Sequence, residues 1–174
     1  MRVRTMAAAS TAALAVALTA TPAQAAGNSA RATSYGPYDI VVDFNGKCMD
    51  VAYGGLPDGV PVQIWDCHGG PPVKWRLDHI STVNGWRYYQ FVNMNSGKCL
   101  DAPGTGVGVP LQQWTCWTGN MQQWALISAP NNSFTIRNLR SGLCVDVTGW
   151  GGIGTRLQQW HCNNLTVQTW KYRR

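Results

Sequence analysis

A motif of two tryptophans and a cysteine, repeated three times in phase, limits what this chain can fold into more than any other feature. Val62-Gln63-Ile64-Trp65-Asp66-Cys67 runs on to Trp75, Leu111-Gln112-Gln113-Trp114-Thr115-Cys116 to Trp124, and Leu157-Gln158-Gln159-Trp160-His161-Cys162 to Trp170. In each copy the tryptophans stand ten residues apart and the cysteine follows the first by two. Upstream lies a second shared piece: Gly46-Lys47-Cys48-Met49-Asp50, Gly97-Lys98-Cys99-Leu100-Asp101 and Gly142-Leu143-Cys144-Val145-Asp146. Corresponding positions are 45 to 51 residues apart. A repeat of that length predicts a stacked or radially symmetric fold, and three copies predict threefold symmetry.

Around these motifs the pattern is one of short strands and turns. Ile40, Val42 and Phe44 alternate with Val41 and Asp43; Tyr89, Phe91 and Met94 open the second repeat, and Phe134 and Ile136 the third. Each run ends in a glycine turn, and a second strand follows around the cysteine and Asp. A loop rich in Gly and Pro comes next (53–61, 103–110, 148–155), and two more strands carry the tryptophans. No stretch keeps a helical period. The expectation is all-β, with about twelve short strands in repeats near 38–84, 85–130 and 131–174. Threefold repetition selects the β-trefoil among barrels and sandwiches.

Residues 1–25 read as a secretory signal peptide. Arg2 and Arg4 precede an alanine-rich run over 7–20, and Ala23-Gln24-Ala25 is a small-x-small cleavage site. The run is too short and too weakly apolar for a membrane span. Residues 26–36 are small and polar and read as a flexible lead-in to a domain over 37–174. No later stretch is apolar enough to cross a bilayer, so a secreted, monomeric protein is expected. Beyond the signal, twelve Lys and Arg face eight Asp and no Glu, a net charge near +4 with no basic run longer than Arg173-Arg174. Nucleic-acid binding calls for a basic stripe, which is missing.

All six cysteines fall in the repeats, two in each. In an exported chain that pattern argues for disulfides. Repeat symmetry picks Cys48–Cys67, Cys99–Cys116 and Cys144–Cys162 from fifteen possible pairings. Each bridge closes a short loop and contributes about 3 kcal/mol. The competing reading, a zinc site helped by His68 and His161, lacks close CxxC pairs. No metal or other cofactor is expected.

These repeats resemble those of the ricin B-type β-trefoil lectins and carbohydrate-binding modules, whose unit is Cys-x-Asp, then Gln-x-Trp-x-Cys, then a closing Gln-x-Trp. The resemblance covers 38–172. Trp75, Trp124 and Trp170 read as core residues with the indole N–H satisfied by backbone, and the resemblance agrees. Trp65, Trp114 and Trp160, taken as lying opposite the Asp of their own repeats, are left open by the residues themselves. They either cover the flanks of the fold or stack on a sugar. The resemblance implies the sugar platform, with Asp50, Asp101 and Asp146 as hydroxyl acceptors rather than turn formers. Gln63, Gln112 and Gln158 match pocket-lining positions, although strand-side polar residues would look the same.

The chain also departs from that pattern. The closing motif of the family commonly reads Asn-Gln-x-Trp, the Asn bonding a sugar hydroxyl and the Gln bracing the Asp. Here the Asn position holds Pro72, Met121 and Val167. The bracing Gln persists as Gln122 and Gln168, but the first repeat has Val73. Asn120 and Asn164 are nearby substitutes. Tyr53, Trp117 and Trp150 add aromatic surface, and are expected to pack on neighbouring loops more than to extend a site.

The expected function is glycan or polysaccharide binding through up to three shallow subsites. The family's range leaves galactose-, xylose- and mannose-type ligands open. Catalysis is not expected, since glycosidases need two carboxylates about 5–10 Å apart and each repeat offers one phased Asp. The alternative is a degenerate trefoil that mediates protein–protein interaction or inhibition, favoured by the three lost Asn positions.

Overall fold

The computed structural model describes residues 33–174. The proposed signal peptide and residues 26–32 of the lead-in lie outside the described residues. Twelve strands follow in order: β1 (Ser34–Val42), β2 (Cys48–Val51), β3 (Val62–Trp65), β4 (Lys74–Val83), β5 (Trp86–Asn93), β6 (Cys99–Asp101), β7 (Gln112–Trp114), β8 (Trp124–Ala129), β9 (Ser133–Asn138), β10 (Cys144–Val147), β11 (Leu157–Trp160) and β12 (Trp170–Arg173). Four single 3-10 turns interrupt the loops, and the described residues hold no α-helix. Each repeat owns four strands. The first strand begins earlier than the sequence suggests: Ser34 and Tyr35 pair with Asp78 and Leu77, so residues 34–36 belong to the sheet and not to the lead-in.

Pairing separates the strands into a barrel and a cap. β1 pairs β4, β4 pairs β5, β5 pairs β8, β8 pairs β9, β9 pairs β12 and β12 returns to β1. That ring of six closes a barrel with no free edge, the most complete answer to exposed strand hydrogen bonds. The remaining strands form three hairpins, β2–β3, β6–β7 and β10–β11. The hairpins meet through isolated bridges Pro61↔Gln112, Pro110↔Gln158 and Gln63↔Arg156. A six-stranded barrel capped by three hairpins is the β-trefoil the repeats predict.

The core follows the repeat. Val62, Leu111 and Leu157, each one residue before the motif glutamine, are fully buried. The Val62 N–H donates to the Leu111 carbonyl at 3.1 Å and the Leu111 N–H to that of Leu157 at 2.9 Å. Trp75, Trp124 and Trp170 are the largest buried side chains. Trp75 and Trp124 donate their indole N–H groups to the carbonyls of Met49 and Leu100, each at 3.0 Å. Trp170 Nε1 has no acceptor, so the expected backbone partner is present in two repeats of three. Met94 falls just past β5 and is exposed, outside the core pattern of its strand.

All six cysteines are paired as repeat symmetry requires: Cys48–Cys67, Cys99–Cys116 and Cys144–Cys162. Each bridge fastens the start of one hairpin strand to the second residue beyond the other.

Candidate binding clefts

Each hairpin carries the same constellation, set by strand register. Asp50 lies opposite Gln63, Asp101 opposite Gln112 and Asp146 opposite Gln158, while the cysteines Cys48, Cys99 and Cys144 face Trp65, Trp114 and Trp160. The tryptophans are therefore diagonal to the Asp of their own repeats, not directly across from it. Because side chains alternate faces along a strand, Asp, Gln, Trp and the disulfide share one side of the hairpin. The opposite side sends Met49 and Ile64 into the core in the first repeat, and buries Leu100 beside Gln113 and Val145 beside Gln159 in the others.

The carboxylates are sunk and the indoles stand clear. Asp50, Asp101 and Asp146 are 4–6 % exposed, whereas Trp65, Trp114 and Trp160 are 38–40 % exposed. Gln63 Nε2 donates to Asp50 Oδ2, Gln112 Nε2 to Asp101 Oδ2 and Gln158 Nε2 to Asp146 Oδ1, each at 2.9 Å. A carboxylate oxygen carries two lone pairs, so each Asp keeps acceptor capacity beyond its glutamine. Burial raises the Asp50 pKa, more than the Gln63 hydrogen bond and the nearby His68 lower it. A buried carboxylate short of donors is poised to accept hydroxyls.

The bracing glutamine appears in one repeat only. Gln168 Nε2 donates to Asp146 Oδ2 and to the His161 carbonyl, both at 2.9 Å. Gln122 does not reach Asp101. Its amide donates to the Thr115 carbonyl at 3.1 Å and its oxygen accepts the Trp117 N–H at 3.0 Å. Val73 is buried and can do neither. The sequence does not separate these cases, because both glutamines sit at the same motif position.

Three clefts open beside the constellations. The first, about 200 Å³, is lined by Asp50, Tyr53, Gly54, Gln63, Trp65, His68 and Pro72. The second, about 500 Å³, is lined by Asp101, Ala102, Pro103, Gln112, Trp114, Trp117 and Met121. The third, about 360 Å³, includes Asp146, Gln158, Trp160, Trp150, Asn163 and Val167. Pro72, Met121 and Val167 thus stand in the cleft walls. Asn120 and Asn164 are not in the walls of their own clefts; Asn164 lines a separate polar cleft with Asp43 and Lys171, and it is Asn163 that lines the third cleft with Asp146.

Tyr53, Trp117 and Trp150 line the three clefts in turn. Tyr53 is 99 % exposed and does not pack on a neighbouring loop, against expectation. Trp150 does meet Phe44 edge-on at 5.2 Å, yet remains half exposed. Tyr53 and Trp150 hold φ of 57° and 56°, a left-handed backbone that costs a bulky residue about 1–2 kcal/mol.

A second layer was not singled out from the sequence. The Gly59 N–H donates to Gln113 O, the Gly108 N–H to Gln159 O and the Gly154 N–H to Ile64 O, at 2.9, 2.8 and 2.8 Å. Each loop thereby docks on the tryptophan strand of the next repeat, and the third returns to the first. At these glycines, φ is +80° to +82°, and an added β-carbon would sit 3.5–3.8 Å from Cζ3 of Trp114, Trp160 or Trp65. Gln113 and Gln159, both fully buried, staple the same loops by donating to Gly55 and Pro57 carbonyls (2.8 Å each) and to the Gly104 carbonyl (2.7 Å). The doubled glutamine of Gln-Gln-Trp was the available signal: one side chain serves the Asp, the next serves the neighbouring repeat.

Among the described residues no three His, Cys, Asp or Glu side chains cluster closely enough to hold a metal ion. No described helix is long and apolar enough to cross a membrane.

Barrel, cap and three hairpin-borne clefts define a β-trefoil of the lectin type. The chain belongs to the family described as ricin-type beta-trefoil lectin domain-like, whose model matches residues 28–114, 79–160 and 122–174. Over 86 residues it is 29% identical to Nigrin b of Sambucus nigra, covering 48% of this chain and 14% of that protein. The designed threefold-symmetric protein ThreeFoil is 28% identical with a TM-score of 0.72, over 78% of this chain and 96% of ThreeFoil. The exo-beta-1,3-galactanase 1,3Gal43A of Clostridium thermocellum is 29% identical with a TM-score of 0.72, over 78% of this chain and 29% of the galactanase. The chain therefore spans only a small part of Nigrin b and of the galactanase.

Proposed function

We propose that the protein is a secreted, non-catalytic carbohydrate-binding protein that holds glycan at up to three subsites, one per hairpin. The observation that carries this is the threefold recurrence of a buried Asp, held by a glutamine at 2.9 Å, beside an exposed indole. An indole face stacks on the apolar C–H face of a sugar ring, and the carboxylate accepts from its hydroxyls. Three weak sites on one rigid scaffold raise apparent affinity for a polymer without new contacts. Membership of a lectin family supports the reading, as do disulfides suited to an oxidising compartment. One carboxylate lines each cleft, which supports binding without hydrolysis. The chemistry needs no metal or other cofactor, and a monomer suffices.

The second reading is a trefoil whose clefts grip a protein. Pro72, Met121 and Val167 in the cleft walls favour it.

A pull-down on insoluble polysaccharides and galactose resin decides between them, with an Asp50→Ala/Asp101→Ala/Asp146→Ala variant alongside. Retention of the wild type, elution by one free sugar and loss in the variant establish sugar binding and name its class, galactose-, xylose- or mannose-type. If neither folded protein is retained on any matrix, the sugar reading is wrong and a protein partner is the one to seek.

A further inference from the structure

We propose that each cleft reads two consecutive sugar units of a chain, one on the hairpin tryptophan and the next on a second aromatic side chain supplied by a loop. The ligand class is then an oligosaccharide or the interior of a polysaccharide, not a lone terminal sugar. This deepens the carbohydrate reading of the same clefts and rests on it.

The first observation is convergence. Tyr53 follows β2 in the first repeat, Trp117 follows β7 in the second and Trp150 follows β10 in the third. Tyr53 and Trp150 sit in equivalent turns after the first hairpin strand of their repeats, one residue out of register, whereas Trp117 follows the second hairpin strand; each lines the cleft that holds its own hairpin tryptophan. In the second repeat, whose equivalent turn carries no aromatic residue, a different loop supplies one. A demand for a second flat apolar surface at each cleft accounts for that substitution.

Support from behind is the second observation. The Trp117 ring lies on the Gly119 backbone, where an added β-carbon would fall within 1.8 Å of the ring. Its exposure is nevertheless 51 %. Trp150 leans on Phe44 and keeps 49 % of its surface open. Trp114 and Trp160 are backed by Gly59 and Gly108. A ring propped on one side and wet on the other is a platform, and two platforms in one cleft suit successive rings of a chain.

Backbone conformation supplies the third. Tyr53 and Trp150 occupy left-handed backbone beside Gly54 and Gly149, which share it. Bulky side chains avoid that region, and nine-tenths burial does not hold either residue there. With an apolar wall where the family has Asn, hydroxyl reading is thinner and stacking carries more of the affinity. The first cleft is the smallest of the three and its Tyr53 stands free, so the second and third clefts should show the effect most.

Titration calorimetry of the full chain with xylose, xylobiose and xylotetraose, and in parallel with galactose and β-1,3-galactobiose and with mannose and mannobiose, tests this. The wild type should bind the two-unit ligand of its preferred series about 10-fold more tightly than the single sugar, more than extra binding registers alone give. A Tyr53→Ser/Trp117→Ser/Trp150→Ser variant with an unchanged thermal transition should keep the single-sugar affinity and lose that gain. Affinity flat with chain length in the wild type overturns the proposal, independently of how the variant folds; so does a folded variant that keeps the gain. The underlying reading fails separately: Asp50→Ala/Asp101→Ala/Asp146→Ala binding every ligand as the wild type does places the sugar elsewhere. No binding of any probe overturns both.

Discussion

Gln168 donates its amide to Asp146 and to the His161 carbonyl, both at 2.9 Å, whereas Gln122, its counterpart one repeat earlier, donates to the equivalent carbonyl of Thr115 at 3.1 Å and not to Asp101. The same residue type at the same motif position thus does two jobs. Both glutamines clamp the loop after their hairpin, through the N–H of Asn163 or Trp117. Only Gln168 also fixes the carboxylate, which leaves Asp146 the most tightly held of the three acceptors.

Replacing Gln168 by Leu should therefore cost both fold and site. The side chain is fully buried, and its loss strands the Asn163 N–H and the His161 carbonyl. Leaving such groups unpaired costs about 2 kcal/mol, a fall in Tm of roughly 4–8 °C for a domain this size. Calorimetric melting of wild type and variant measures it. A shift under about 1 °C would mean that water replaces the amide without penalty.

The loop-to-tryptophan interlock makes a directional prediction. Gly108 belongs to the second repeat but lies against Trp160 of the third. Gly108→Ala forces a side chain into left-handed backbone at about 1 kcal/mol. Sugar binding should weaken at the third cleft and not the second. Two variants that retain a single cleft each, Asp50→Asn/Asp101→Asn and Asp50→Asn/Asp146→Asn, separate the two when titrated with and without Gly108→Ala. Equal losses in both would show a general loosening in place of the interlock.

How much of this was legible in the sequence follows from which contacts are local. Strand count, cysteine pairing and buried closing tryptophans all follow from spacing, because each is fixed within one repeat. The Asp–Gln pair was half legible: residue types were clear, yet the register that sets Gln63, and not Trp65, opposite Asp50 depends on loop length. Contacts between repeats were not legible. Nothing in the spacing says that Gly154 docks on Ile64, some ninety residues away. Tyr53, Trp117 and Trp150 were visible as added aromatic surface, but their place in the cleft walls was not, because Trp117 comes from a different loop than the other two.

Disulfide removal should be costly in the second repeat as in the others. Cys99 and Cys116 close a 17-residue separation, and loss of such a link costs about 3 kcal/mol. The variant Cys99→Ser/Cys116→Ser should unfold at lower urea, with the midpoint displaced by roughly 1–3 M at typical slopes. An unmoved midpoint would mean that the hairpin is held by Asp101–Gln112 and the loop clamp alone.

Acid should act on the first cleft in a particular direction. Burial raises the Asp50 pKa above 3.8 in the folded protein, so the folded state holds that proton more tightly than the unfolded one. Ionised Asp50 therefore subtracts from stability above its folded pKa, and the penalty fades as pH falls through that value. Asp78 runs the other way: its hydrogen bond to Arg76 lowers its pKa, and the stability it contributes is lost as pH falls through the lowered value. A protein retaining only the first cleft, Asp101→Asn/Asp146→Asn, should lose sugar affinity on acidification with a midpoint above 3.8. Binding titrations between about pH 3 and 7 read that midpoint; one at or below 3.8 would show that the carboxyl is not desolvated. Adding Asp50→Asn should leave Tm at pH 7 nearly unchanged or higher, since the amide oxygen still accepts from Gln63. Asp50→Ala, which strands the Gln63 amide, should cost about 1–2 kcal/mol.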